Sequence, residues 1–186
     1  IGSSVPAYIL TGAPGSGKTA ILRMLETAGY AVVEEAATDV IALAHATGCE
    51  EPWEEPGFVD QVVSLQRQRQ ERASGAVSAG IVFFDRSPVC SLALSRYVDR
   101  APSRLLTSEV DRTQSDGSYE KTVFFVRNQG SVQATAARRI SFADSLVFER
   151  LHEETYRNLG FRLVDVPASP LAARVALIEA VVRMCP

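Results

Sequence analysis

The segment Gly12-Ala13-Pro14-Gly15-Ser16-Gly17-Lys18-Thr19 fits the pattern G-x-x-x-x-G-K-[ST] without a mismatch. Glycines in such a run let the backbone wrap around phosphates with its N–H groups pointing inward. A helix N-terminus behind them adds positive potential. In that arrangement Lys18 reaches the β- and γ-phosphates and the Thr19 hydroxyl binds Mg²⁺. The alternative is a glycine-rich turn with an exposed lysine. The flanking residues favour the phosphate loop, because an apolar run Tyr8–Thr11 precedes it and a helical apolar period (Ile21, Leu22, Leu25, Ala28) follows. ATP with Mg²⁺ is therefore the expected ligand pair.

Other residues could serve the same chemistry. Asp85 ends the apolar run Ile81–Phe84, and an acid at the carboxyl end of a buried strand sits where α/β sheets bind ligands. It is expected to support the metal together with Thr19; the competing role is a helix cap before Pro88. Glu34 and Glu35 end the run Tyr30–Val33. A carboxylate there could take the proton of an acceptor hydroxyl. Adjacent side chains point apart, so one of the two faces the site, and Glu35 is carried as the catalytic candidate. Arg138 and Arg139, on an irregular segment, could neutralise charge that develops during phosphoryl transfer. Arg127 could stack on a nucleotide base. Trp53 and Phe58, in the acidic loop Glu50–Phe58, could wall an acceptor pocket or simply join the core. His45 and His152 read as helix-face residues without a site role.

The elements that must position these groups alternate. Strands are expected at Tyr8–Thr11, Tyr30–Val33, Ile81–Phe84, Thr122–Val126 and Phe161–Val164. Between and after them fall helices at 18–28, 36–46, 58–79, 89–97, 103–113, 141–159 and 170–182. Ser141-Phe142-Ala143-Asp144 has the form of a capping box. Five such β/α units imply a parallel sheet covered by helices on both faces. No repeat or linker interrupts the 186 residues, which make one domain at ~150 residues per domain.

Composition narrows the class. Hydrophobic residues are 46% and charged residues 22%, which excludes extended disorder. A net charge of −3 argues against general nucleic-acid binding. The longest apolar stretches are too short for a membrane span. Cys49, Cys90 and Cys185 are scattered and form no CxxC pair, as free thiols in a reducing, cytoplasmic compartment would be.

The form Gly12-x-Pro14-Gly15-x-Gly17-Lys18-Thr19 resembles the phosphate loop of adenylate-kinase-like small-molecule kinases. The run Phe83-Phe84-Asp85-Arg86-Ser87-Pro88 resembles the Asp-Arg-x-Pro element of AAA-type ATPases of the nucleotide-kinase-like group, which includes bacterial nicotinamide riboside kinase domains. The stretch from Tyr30 to Ala37 is similar to the acidic element of those domains, and Arg138–Phe142 with Tyr156–Pro167 to their lid and last strand. Their acidic element continues to an Arg where this chain has Thr38, so the chain is not read as a nicotinamide riboside kinase. The resemblance implies a three-layer α/β/α P-loop NTPase fold, a five-stranded parallel sheet of order 2-3-1-4-5, and a small lid at about 127–140. It also implies ATP and Mg²⁺. The expected activity is phosphoryl transfer to a small-molecule acceptor such as a nucleoside or nucleotide. The alternative is a nucleotide-dependent regulatory ATPase acting on a protein partner.

Overall fold

The structure is a computed structural model that describes residues 5–76, 80–129 and 142–185. In chain order the elements are β1 (Ala7–Thr11), α1 (Lys18–Thr27), β2 (Ala31–Val33), α2 (Ala36–Ala46), a short 3₁₀ turn (Pro52–Glu54) and α3 (Phe58–Ala76). Then follow β3 (Val82–Asp85), α4 (Pro88–Tyr97), α5 (Arg104–Ser115), β4 (Thr122–Val126), α6 (Phe142–Asn158), β5 (Arg162–Val166) and α7 (Leu171–Met184).

All strand pairs are parallel and the sheet order is β2-β3-β1-β4-β5, as the resemblance implied. The central strands read as continuous apolar runs because both faces are covered. Alternate residues of each run enter different cores. Tyr8, Leu10 and Phe83 pack with Ile21, Leu25, Val175 and Ile178 of α1 and α7. Ile9, Val82 and Phe84 pack with Val89 and Cys90 of α4 and Tyr156 of α6. On this second face α3 carries a further layer, meeting α5 through Val63, Leu106 and Val110, and α2 through Val40, Phe58 and Val62.

Most boundaries shift by a residue or two, and two of the shifts have a clear physical reason. β5 runs to Val166, beyond Val164, because the full ladder Thr122–Val126 pairs with Arg162–Val166 even where Asp165 breaks the apolar pattern. The acid is tolerated on an edge strand, where one side meets solvent. The helix after β3 starts at Pro88, capped by Ser87, whose hydroxyl accepts from the Val89 N–H at 3.2 Å. The capping role weighed for Asp85 thus falls to Ser87, and Asp85 remains the last residue of its strand. Arg138, Arg139, Ser141 and most of the expected lid lie outside the described residues. Among the described residues, no helix is long and apolar enough to cross a membrane, and Cys49, Cys90 and Cys185 are free.

Candidate active site

The order of strands reverses around β1, whose neighbours are β3 on one side and β4 on the other. Carboxyl ends of strands at such a reversal leave a crevice open to ligands. Gly12 leaves β1 there with φ +145°, and a Cβ on it would lie 2.2 Å from the Val126 carbonyl oxygen. The loop can therefore pass the end of β4 only with glycine at this position. Gly17 caps α1 in the left-handed region, and Lys18 opens the helix, 5% exposed. From the far side, the Arg174 guanidinium of α7 donates to the Ser16 carbonyl at 2.7 Å, and the Gln129 amide oxygen lies 2.8 Å from both its terminal nitrogens.

Thr19 and Asp85 line one hollow of about 250 Å³ with Glu34 and Glu35. These are hard oxygen donors, of the kind Mg²⁺ accepts when phosphate oxygens complete its shell. Asp85 is 8% exposed and sits level with Leu10 in the β1–β3 ladder, one residue short of the strand end that feeds the phosphate loop.

The two glutamates separate as adjacent side chains must. Glu34 turns to the surface and pairs with Arg23. Glu35, at the start of α2, turns inward and pairs with Arg86 at 2.9 Å. The Thr38 hydroxyl donates to the other Glu35 oxygen at 3.0 Å. This turn is fixed from α3, where Arg69 donates to the carbonyls of Glu34 at 3.0 Å and Glu35 at 2.8 Å. Arg86 adopts φ +71°, uncommon for a side chain other than glycine, and its N–H donates to the Leu10 carbonyl at 3.0 Å. Burial alone would lower its pKa. Glu35, then Cys90 and Asp85, more than offset this, so the guanidinium stays charged inside the protein.

Beyond this pair lies a second hollow of about 180 Å³. Pro14 of the phosphate loop, Glu35 and Arg86 line it, and Ile41, Phe58, Val62 and Phe148 supply apolar walls. The wall includes the buried polar residues Gln66 of α3, Ser91 of α4 and His152 of α6. The Gln66 side-chain oxygen and His152 Nε2 have no hydrogen-bond partner among the described residues. Beneath the site a buried chain of hydroxyl and thiol groups ties β1, α4 and α6 together. It runs from Thr11 Oγ1 to Cys90 Sγ at 3.2 Å, to the Tyr156 hydroxyl at 3.1 Å and to Ser87 Oγ at 2.7 Å. Burial, then Cys90, pushes the Tyr156 hydroxyl well above its ordinary range, so it stays a neutral donor and acceptor.

Sequence reasoning placed the phosphate loop, Asp85 and Glu35 around one crevice, and the structure brings them together there. Arg127 has other company. Its guanidinium meets Asp165 at 2.5 Å, Glu153 at 2.9 Å and Glu149 at 3.2 Å, and lies over the Phe125 ring at 4.3 Å. These contacts hold α6 to the end of the sheet, and Phe125 covers one face of the guanidinium. Of the two aromatics, Phe58 walls the hollow, while Trp53 packs beside the α2–α3 core and edge-on to His45. Sequence reasoning missed Arg86, Gln66 and His152. The triplet Asp85-Arg86-Ser87 carried a usable signal for the first; Gln66 sits in a run that reads as polar-faced, and His152 reads as a helix-face residue.

Residues 7–174 match a protein-family model described as AAA domain. No curated protein matches the chain. Among solved structures, deoxyadenosine kinase from M. mycoides, with products dCMP and a flexible dCDP bound, is similar with a TM-score of 0.62. Identity is 13%, over 95% of this chain and 98% of that one. The same enzyme with bound dATP gives a TM-score of 0.60 at 12% identity, over 96% and 99%. Thymidylate kinase from Candida albicans gives 0.60 at 9% identity, over 97% and 92%. At these identities the likeness establishes the fold.

Proposed function

The chain belongs to the AAA domain family, and from that premise we propose that it is an ATP- and Mg²⁺-dependent kinase whose acceptor is a small nucleoside-like or nucleotide-like molecule. The observation that carries this reading is the hollow beside the phosphate loop, with Glu35 and Arg86 in its lining. A switch acting on a protein partner needs no such second site. The neighbouring structures are nucleoside and nucleotide kinases, which supports the same class.

In this reading the phosphate-loop N–H groups and Lys18 hold the β- and γ-phosphates. Thr19 and Asp85 would hold Mg²⁺, which neutralises charge on the phosphate oxygens. Glu35 accepts the proton of the acceptor hydroxyl as that oxygen bonds to the γ-phosphorus. The bond from the γ-phosphorus to the bridging oxygen breaks, and ADP leaves with that electron pair. Arg86 holds the Glu35 carboxylate in place. Arg138 and Arg139 would supply cations over the transferring group.

The test is incubation with ATP, Mg²⁺ and a panel of nucleosides and nucleoside monophosphates, with products resolved by chromatography and mass spectrometry. Lys18→Ala should abolish product and remove most ATP affinity by calorimetry while the fold persists. Absence of any phosphorylated product, with ATP hydrolysed slowly to ADP, would replace the kinase with the regulatory ATPase.

A further inference from the structure

The wall of the acceptor hollow contains a histidine whose chemistry is fixed by its own helix. His152 is fully buried, and its Nδ1 lies 2.9 Å from the Phe148 carbonyl oxygen one turn back. A carbonyl oxygen only accepts, so Nδ1 carries the hydrogen. Nε2 then holds a bare lone pair. The ring lies against Phe148, with centroids 4.1 Å apart, and both side chains line the hollow. Burial, then the nearby Arg86, pushes the imidazole pKa down to about 3, with Lys18 adding to the effect. The ring therefore does not take a second proton at any ordinary pH, and Nε2 is an acceptor only.

A buried acceptor left without a donor is destabilising. Nε2 is such an acceptor among the described residues. A bound ligand that brings a donor removes that cost. A ligand that brings a carbonyl, carboxylate or phosphate oxygen to the same place sets two lone pairs against each other. The rest of the lining agrees. Its one described cation, Arg86, is already matched by Glu35, so nothing described there balances a phosphate.

Resting on the kinase reading above, we propose that His152 is a specificity-determining residue of the acceptor site. It accepts a hydrogen bond at Nε2 from an N–H or O–H of an uncharged, nucleoside-like acceptor and turns away ligands that place an oxygen acceptor there. The group contacts the acceptor and takes no part in proton transfer.

The experiment compares the wild type, His152→Phe and His152→Gln. The probes are the four common 2′-deoxynucleosides and their 5′-monophosphates, with ATP and Mg²⁺. The wild type is expected to phosphorylate at least one nucleoside with a kcat/KM at least tenfold above that of its monophosphate. His152→Phe keeps the ring and its stacking on Phe148 but removes the lone pair. Its KM for that nucleoside should rise about tenfold or more, equivalent to about 1.4 kcal/mol. ATP affinity should not change. The thermal midpoint should change little, because loss of the Nδ1–H bond to the Phe148 carbonyl is offset by removal of the unpaired acceptor at Nε2. His152→Gln, whose amide oxygen can occupy the place of Nε2, should recover part of the loss. A purely structural histidine predicts the reverse pattern, a lowered midpoint with an unchanged KM. If His152→Phe phosphorylates the nucleoside with wild-type KM, the inference falls and the kinase reading stands. If monophosphates are the better acceptors, the inference also falls alone. If the wild type phosphorylates neither class, both fall.

Discussion

Replacing Glu35 by Gln keeps its size and removes its charge. The Arg86–Glu35 pair is largely buried, with the two side chains 10% and 18% exposed. Removing one partner of a buried pair costs about 3–5 kcal/mol because the other charge is left uncompensated. Partial exposure and the neighbouring Asp85, which also favours the charged Arg86, place the expected loss at the low end, about 3 kcal/mol. For a chain of this length each kcal/mol shifts the melting temperature by roughly 2–4 °C, so the midpoint should fall by roughly 6–12 °C. If Glu35 is the general base, kcat should fall by roughly 10²–10⁴. The double variant Glu35→Gln/Arg86→Met separates the two effects. With neither charge present most of the stability returns, since a buried pair rarely stabilises more than apolar residues of similar volume. The activity does not return. Thermal denaturation by circular dichroism and steady-state kinetics with the acceptor found by the chromatographic screen read both quantities. A folded Glu35→Gln protein with wild-type kcat refutes the base assignment. A double variant less stable than the single one refutes the account of the ion pair.

Three further outcomes are expected. Gly12→Ala places a Cβ 2.2 Å from the Val126 carbonyl oxygen at φ +145° and should cost about 3 kcal/mol or more in urea denaturation, whereas Gly29→Ala, also at positive φ but with nothing within 4 Å, should cost about 1 kcal/mol. Asp85→Asn should weaken Mg²⁺-dependent turnover, seen as a raised Mg²⁺ requirement in kinetics, more than it weakens metal-free ATP binding by calorimetry. Arg138→Ala or Arg139→Ala should lower kcat at least roughly tenfold with a smaller change in ATP affinity, and lysine should rescue poorly because it lacks the planar fork; near-wild-type kinetics in both would make them solvated surface charges.

The sheet was legible because each central strand is buried on both faces, which leaves a continuous apolar run such as Ile81–Phe84 between clear helical periods. The phosphate loop was legible because its backbone geometry admits few residue types, as the collision at Gly12 demonstrates. Strand order was not in the local pattern and came only through resemblance. The acceptor hollow was not legible either. Its polar wall is assembled from the end of β3, the middle of α3 and the middle of α6, and no spacing connects Arg86, Gln66 and His152 along the chain. Gln66 sits in the run Gln66-Arg67-Gln68-Arg69-Gln70, whose composition describes a solvated helix. What distinguishes it is burial under α2 and α4, a tertiary fact. Arg127 failed in the opposite direction: its position at a strand end was read correctly, but its three carboxylate partners come from α6 and β5.

The grip of Arg174 on the phosphate loop spans 158 positions of sequence. The loop belongs to the first β/α unit of the domain, yet the guanidinium that braces it arrives with the last helix. During synthesis the N-terminal β/α unit can nucleate early, but its nucleotide-binding turn stays unbraced until nearly the whole domain has emerged. Ordering so distant a contact also raises the contact order and slows the final step of folding. The nascent chain therefore passes through a stage in which the sheet is forming and this brace on the phosphate loop is still absent.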